Sequence, residues 1–259
     1  MNLKGRRALI TGGAGNLGQV MADSLAEMGA DLVLVDLPGA NTAKIAADLA
    51  ERHDIEAVAE ACDLEDAAER DAMAARVLES GGLNILVNNA AFVGTSGLTG
   101  WAEPFEKQSV ETWRRALEVN LTSAFHLCQL FSPALRKEPG GSIVNIASIY
   151  GQWGPDWSLY EGTQMSNPGA YGASKGGLIQ FTRWLSTTLA PDVRVNALSP
   201  GGIARGQAPS FMERYADRTP LGRMATEDDF RGAVAFLASD MSAYVTGQIL
   251  AVDGGWGAW

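Results

Sequence analysis

Cysteine is nearly absent from this chain: Cys62 and Cys128 are the only two, far apart and without a second metal-ligating residue at short spacing. That excludes a disulfide framework and gives no metal site, so both read as buried, reduced thiols. Histidine is equally scarce. His53 falls at a charged helix end and His126 on an apolar helix, and both read as packing residues rather than catalysts. Basic residues are in deficit, 20 Lys and Arg against 30 Asp and Glu, for a formal net charge of -10. A nucleic-acid partner needs a concentrated basic face and is not expected, although a small anionic substrate remains compatible. No apolar run reaches the roughly eighteen residues of a membrane span. The basic start Lys4, Arg6, Arg7 is followed by an apolar run too short for a signal-peptide core, so a cytoplasmic protein without a membrane partner is expected. A Gly-x-Ser-x-Gly elbow is also missing, which removes a serine hydrolase of that type.

What the chain has in quantity is glycine, 30 residues, many beside strand-like segments. Ala8-Leu9-Ile10 runs into Thr11-Gly12-Gly13-Ala14-Gly15-Asn16-Leu17-Gly18, and Leu17, Val20, Met21 and Leu25 continue at helical spacing. A strand, a glycine turn and a helix in that order let backbone approach a pyrophosphate at the helix N-terminus. About twenty residues on, the strand Asp31 to Val35 ends in Asp36, whose carboxylate can accept ribose hydroxyls and repels a 2'-phosphate, so NAD is expected over NADP. Asp36 also reads as a turn aspartate before Pro38-Gly39. The βα pattern repeats through a helix at about 41 to 52, a strand at 57 to 61 ending in Cys62-Asp63-Leu64, a helix at about 66 to 80 and the apolar strand Leu83 to Val87 before Asn88-Asn89-Ala90. Asp63 suits either the adenine edge or a helix N-cap. A long helix is expected from about 109 to 131, with Asn120 inside it either exposed to solvent and of no consequence or bonding backbone or water and holding a local bend open. Strands at 141 to 148, 193 to 198 and 248 to 255 and helices at 171 to 189 and 227 to 238 complete the chain. Such repeats imply one α/β domain, 1 to 259, a Rossmann-like doubly wound parallel sheet with ligands at the carboxyl ends of its strands.

Tyr171-Gly172-Ala173-Ser174-Lys175 carries the chemistry. On a helix the two ends of this pentapeptide are neighbours, so the Lys175 charge favours the Tyr171 phenolate and makes Tyr171 a candidate general acid/base.

Together, the Thr11 to Gly18 turn, Asp63, Asn88-Asn89-Ala90, Asn120, Ser148, Tyr171 with Lys175, and Pro200-Gly201 resemble the short-chain dehydrogenase/reductase family over essentially the whole chain. The resemblance implies seven strands in the order 3-2-1-4-5-6-7, a homotetramer, and hydride exchange between a nicotinamide and a carbonyl or secondary alcohol. It assigns catalysis to Asn120, Ser148, Tyr171 and Lys175: Tyr171 exchanges the proton, Lys175 lowers its pKa and bonds the nicotinamide ribose, Ser148 orients the substrate oxygen, and Asn120 holds a relay water. It assigns the cofactor to Gly12, Gly15, Asn16, Leu17, Gly18, Asp36, Asp63, Leu64, Asn89, Ala90, Tyr171, Lys175, Pro200, Gly201 and Ile203.

Three departures stand out. Asn16 replaces a family glycine, which Asn's tolerance of left-handed backbone accommodates. Arg205 stands where the family often has a Thr that bonds the nicotinamide carboxamide; it lies either in the substrate pocket, on an anionic or polyhydroxylated group, or simply at the surface. The stretch of about 150 to 169 is longer than usual. Its Gln152, Trp153, Trp157 and Gln164 either bind a carbohydrate, by stacking and hydroxyl contacts, or pack the insert onto the body. This insert looks like that of a subgroup encoded with flagellin-glycan and nonulosonic-sugar genes. The leading expectation is an NAD-dependent dehydrogenase of a sugar or sugar-acid secondary alcohol. The alternatives are a 3-oxoacyl thioester reductase and a non-catalytic NAD-binding sensor or assembly protein. The apolar end with Trp256 and Trp259 is expected to meet another subunit.

Overall fold

The computed structural model describes residues 2–93 and 96–259. Seven strands, β1 (Arg7–Thr11), β2 (Asp31–Asp36), β3 (Ala57–Ala61), β4 (Ile85–Asn88), β5 (Gly141–Ile146), β6 (Val193–Pro200) and β7 (Ile249–Val252), form one sheet in the order β3-β2-β1-β4-β5-β6-β7. Every neighbouring pair is parallel. Strand alternation feeds two cores. Ile10, Leu34, Val87 and Leu198 face one side, against Met21 and Leu25 of α1 (Asn16–Glu27) and Val234 of α8 (Arg231–Ala238). Leu9, Val33, Leu86 and Val195 face the other, against Met73 of α3 (Ala67–Glu79), Leu127 and Phe131 of α5 (Ser123–Lys137) and Leu185 of α6 (Gly169–Leu189). A strand buried on both faces has no polar side to show, which is why these segments read as unbroken apolar runs. α2 (Thr42–His53) covers the β2–β3 side of the sheet. The chain order reverses between β1 and β4, and the cleft at that point opens beyond the strands' carboxyl ends.

Two elements differ from the sequence expectation. The long helix is not continuous: α4 (Val110–Leu117) passes into a π turn, Glu118–Thr122, before α5. Asn120 is buried at its centre, and its amide is drawn out of the helix to the backbone of Phe92. A further helix, α7 (Pro209–Arg218), fills a segment where none is expected. It starts on a proline at its first turn and buries only Phe211 and Tyr215, too sparse a stripe for periodicity to reveal.

The two C-terminal tryptophans differ in their surroundings. Trp256 is buried inside its own subunit, stacked on Tyr215 at 6.1 Å and covered by the Arg218 guanidinium at 4.4 Å; only Trp259 is exposed. Among the described residues no helix is long and apolar enough to cross a membrane.

Candidate active site

A cavity of about 1430 Å³ runs along the carboxyl ends of the strands, from the glycine turn to α7. At one end, Gly12 has φ +65°, and a Cβ on Gly18 would stand 2.0 Å from the Gly12 carbonyl oxygen, so a side chain at Gly18 would displace the turn. α1 opens with Gly15 as an N-cap that offers no side-chain acceptor, and no acidic residue occupies its first turn. Its leading N–H groups are therefore available to an anion. Asp36, at the end of β2, accepts Ala14 N–H through Oδ2 (2.8 Å) and Leu37 N–H through Oδ1 (2.8 Å). The carboxylate is thereby fixed against the turn, with its remaining lone pairs on the cavity wall.

Asn89 works as a brace. Its Nδ2 donates to the carbonyls of Thr11 (2.9 Å) and Gly12 (3.2 Å), while Thr11 Oγ1 accepts from the N–H groups of Asn89 and Ala90. The ends of β1 and β4 are thus tied together. Asp63 and Leu64 line the same half. The N-cap of α3 is Asp66, which accepts from Ala68 and Glu69, so Asp63 is left at the cavity edge, where its Oδ1 accepts Glu65 N–H. The turn, the unpaired N–H groups and a fixed carboxylate at the end of β2 together match what a dinucleotide requires.

Ser148, Tyr171 and Lys175 meet at the middle of the cavity. What brings them together is close packing that the motif does not announce. A Cβ on Gly151 would stand 2.7 Å from the Lys175 backbone, so the turn Ile149–Gly151 that follows Ser148 lies flush on α6. The buried Lys175 donates from Nζ to Ile146 O at 2.6 Å, and burial lowers its pKa to about 8. The expected lowering of the Tyr171 pKa by Lys175 is corrected here. The ammonium is engaged beneath the ring, 6.0 Å from its centroid, and burial pushes the phenol up; Ser148 and then the Arg205 charge draw it back. Asn120 does not line the cavity. Its Oδ1 accepts Phe92 N–H (2.7 Å) and its Nδ2 donates to Phe92 O (3.1 Å) and Ser174 Oγ (3.1 Å), so its side chain positions the loop after β4 against α6. Pro200, Gly201 and Ile203 line the wall beside β6.

On the far side, Gln164 and Arg205 line the cavity, but Gln152, Trp153 and Trp157 do not. Gln152 donates to Ser199 Oγ at 2.7 Å. Trp153 packs on Gly257, and Trp157 leans on Tyr160 at 5.5 Å. Of the two readings given for these three residues, these contacts support packing of the insert; Trp153 and Trp157 stay half-exposed, outside the cavity lining. Missed by sequence reasoning are Tyr150 and Tyr160, whose hydroxyls share a hydrogen bond of 2.8 Å, and Tyr215, whose hydroxyl accepts Gly202 N–H at 2.6 Å. Tyr150 sits two residues beyond Ser148, a usable signal; Tyr215 belongs to the unexpected α7.

The model of a family described as enoyl-(acyl carrier protein) reductase matches residues 12–257. A tropinone reductase homolog of Arabidopsis thaliana is 34% identical over 265 residues, 98% of this chain and 93% of its own length. A probable galactose dehydrogenase of Rhizobium meliloti is 34% identical over 267 residues, 98% of this chain and 96% of its own. Among solved structures, a putative NAD(P)-dependent gluconate 5-dehydrogenase from Beutenbergia cavernae, with bound NADP at low occupancy, is 32% identical with a TM-score of 0.88, covering 100% of this chain and 99% of that one.

Proposed function

This chain belongs to the short-chain dehydrogenase/reductase family of oxidoreductases, and from that premise we propose that it is an NAD-dependent dehydrogenase of a secondary hydroxyl on a sugar or sugar acid. The observation that carries the cofactor choice is Asp36: a carboxylate held by two backbone N–H groups cannot swing away from a 2'-phosphate. The substrate reading rests on Tyr160, Gln164, Asn167 and Arg205, which give the far wall donors and acceptors for a hydroxylated molecule. The probable galactose dehydrogenase and the putative gluconate dehydrogenase among the similar proteins point the same way.

NAD, when bound, supplies the hydride acceptor. Tyr171 Oη takes the hydroxyl proton as hydride leaves the carbon, and Ser148 holds the reacting oxygen toward it. Lys175 keeps a donor beneath the ring. The Thr11, Asn89 and Asn120 bonds keep the loops on both sides in register with α6.

The test is a titration of NADH against NADPH on the wild type and on Asp36→Ala. NADH is expected to bind at least about tenfold more tightly, as one unfavourable close charge pair is worth on the order of 1 kcal/mol or more; the substitution should erase most of that difference. Tighter NADPH binding by the wild type would overturn the NAD assignment and favour the 3-oxoacyl thioester reductase. Turnover of galactose or gluconate with NAD tests the substrate class.

A further inference from the structure

The wall of the cavity carries few charges, and they are unevenly placed. Asp36, Asp63 and Glu65 lie at the ends of β2 and β3, where Arg115 is spent on a bidentate pair with Glu65 at 2.7 and 2.8 Å. Lys175 is buried and engaged by Ile146 O. That leaves Arg205, in the loop between β6 and α7, as the charged side chain of the far half.

Its loop is closed on itself. Arg205 N–H donates to Gln207 Oε1 and Gln207 Nε2 donates to Ile203 O, each at 2.7 Å, so the side chain leaves a fixed point. The guanidinium then uses one nitrogen: Nε donates to Glu227 Oε1 at 2.8 Å, which orients the plane. Among the described residues the two Nη nitrogens have no hydrogen-bond partner in the protein. They form the edge that matches a carboxylate with two parallel bonds. Arg205 is also close enough to Tyr171 for its charge to draw the phenol pKa down.

We infer that Arg205 is the specificity-determining residue of this site, that it binds a carboxylate on the substrate through its Nη edge, and that the substrate is therefore a hydroxy acid rather than a neutral polyol. This inference rests on the dehydrogenase reading above. Arg205 lies beyond β6 and Asp36 at the end of β2, so an acid that meets the open Nη edge of the Arg205–Glu227 pair with its hydroxyl toward Tyr171 avoids the carboxylates at the ends of β2 and β3.

The experiment is binding calorimetry on the NAD-saturated Tyr171→Phe protein, which removes turnover from the readout, with and without Arg205→Met. Four probes are used in two pairs, gluconate with glucitol and 3-hydroxybutyrate with butan-2-ol; each pair contrasts an acid with a neutral alcohol. The acid of at least one pair is expected to bind roughly tenfold or more tightly than its neutral partner, and Arg205→Met should abolish that advantage. Acid and neutral probes binding equally, an advantage that survives Arg205→Met, or no binding by any probe would each overturn the inference. Loss of NAD affinity in Arg205→Met with an unchanged acid-to-neutral ratio would assign Arg205 to the cofactor and overturn it as well. If 3-hydroxybutyrate binds through Arg205 and gluconate does not, the carboxylate inference stands and the carbohydrate reading fails.

Discussion

Tyr171→Phe is expected to lower kcat for alcohol oxidation by roughly 10² to 10⁴-fold, the usual contribution of a positioned acid/base, while NADH affinity stays near that of the wild type. The ring packs beside Trp101 and Ala170, and Phe keeps that packing while removing only the hydroxyl. Burial raises the phenol pKa, so in the wild type the base form is the minority near neutrality and oxidation should accelerate as pH rises. Deprotonation favours oxidation and protonation favours reduction, so the two directions should respond oppositely to pH. In the variant the residual rate should lose this dependence. A pH series of kcat/KM in both directions, with fluorescence titration of NADH, makes the check; retained turnover would remove Tyr171 from the proton transfer.

The second large effect concerns stability. Trp256→Ala should cost about 3–5 kcal/mol, the range for emptying a buried aromatic site, and lower Tm by on the order of 10 °C for a domain of this size. The indole fills a cluster with Ile149, Leu159, Phe211, Tyr215 and Met224, and its Nε1 makes no hydrogen bond. Trp256→Phe should therefore cost clearly less than Trp256→Ala, because only volume is lost. Thermal unfolding of the two variants measures this. Equal melting temperatures for wild type and Trp256→Ala would place the indole outside the core of the subunit. The cluster also supports Tyr215, whose hydroxyl holds Gly202, so Trp256→Ala is expected to weaken NADH binding along with stability.

Much of this fold is legible in the sequence because its signals are local. The apolar strands, the glycine turn and Asp36 occur within single βα units whose repetition implies a parallel sheet, and the order of its strands is the one the family resemblance implies. The same holds for Tyr171 and Lys175, one helical turn apart. What stayed hidden depends on contacts distant in the chain. That Asn120 serves Phe92 and Ser174, rather than the cavity itself, depends on where α4 and α6 cross. Trp153 and Trp157 are aromatic in sequence whichever way they point, and only the packing of Trp153 on Gly257 and of Trp157 on Tyr160 shows that they turn from the cavity. The glycine at 151 looks like an ordinary turn residue until the Lys175 backbone is seen against it. α7 is missed because its two buried residues, Phe211 and Tyr215, are too few to mark a period.

The π turn at Glu118–Thr122 has a bearing on how this chain tolerates change in length. A π turn amounts to one residue inserted in an α-helix. Deleting one residue there would splice α4 and α5 into a single regular helix, and on thermodynamic grounds of helix geometry alone that shorter chain would be acceptable. Leu127 and Phe131 would keep their places in the core, because a π turn takes up its extra residue by local unwinding and leaves the flanking turns in phase; what would be lost is the bulge that presents the Asn120 amide to Phe92. The extra residue is thus a local tie rather than a property of the whole rod: it could be gained or lost while both ends keep their faces to the sheet, and only the loop after β4 would lose its anchor.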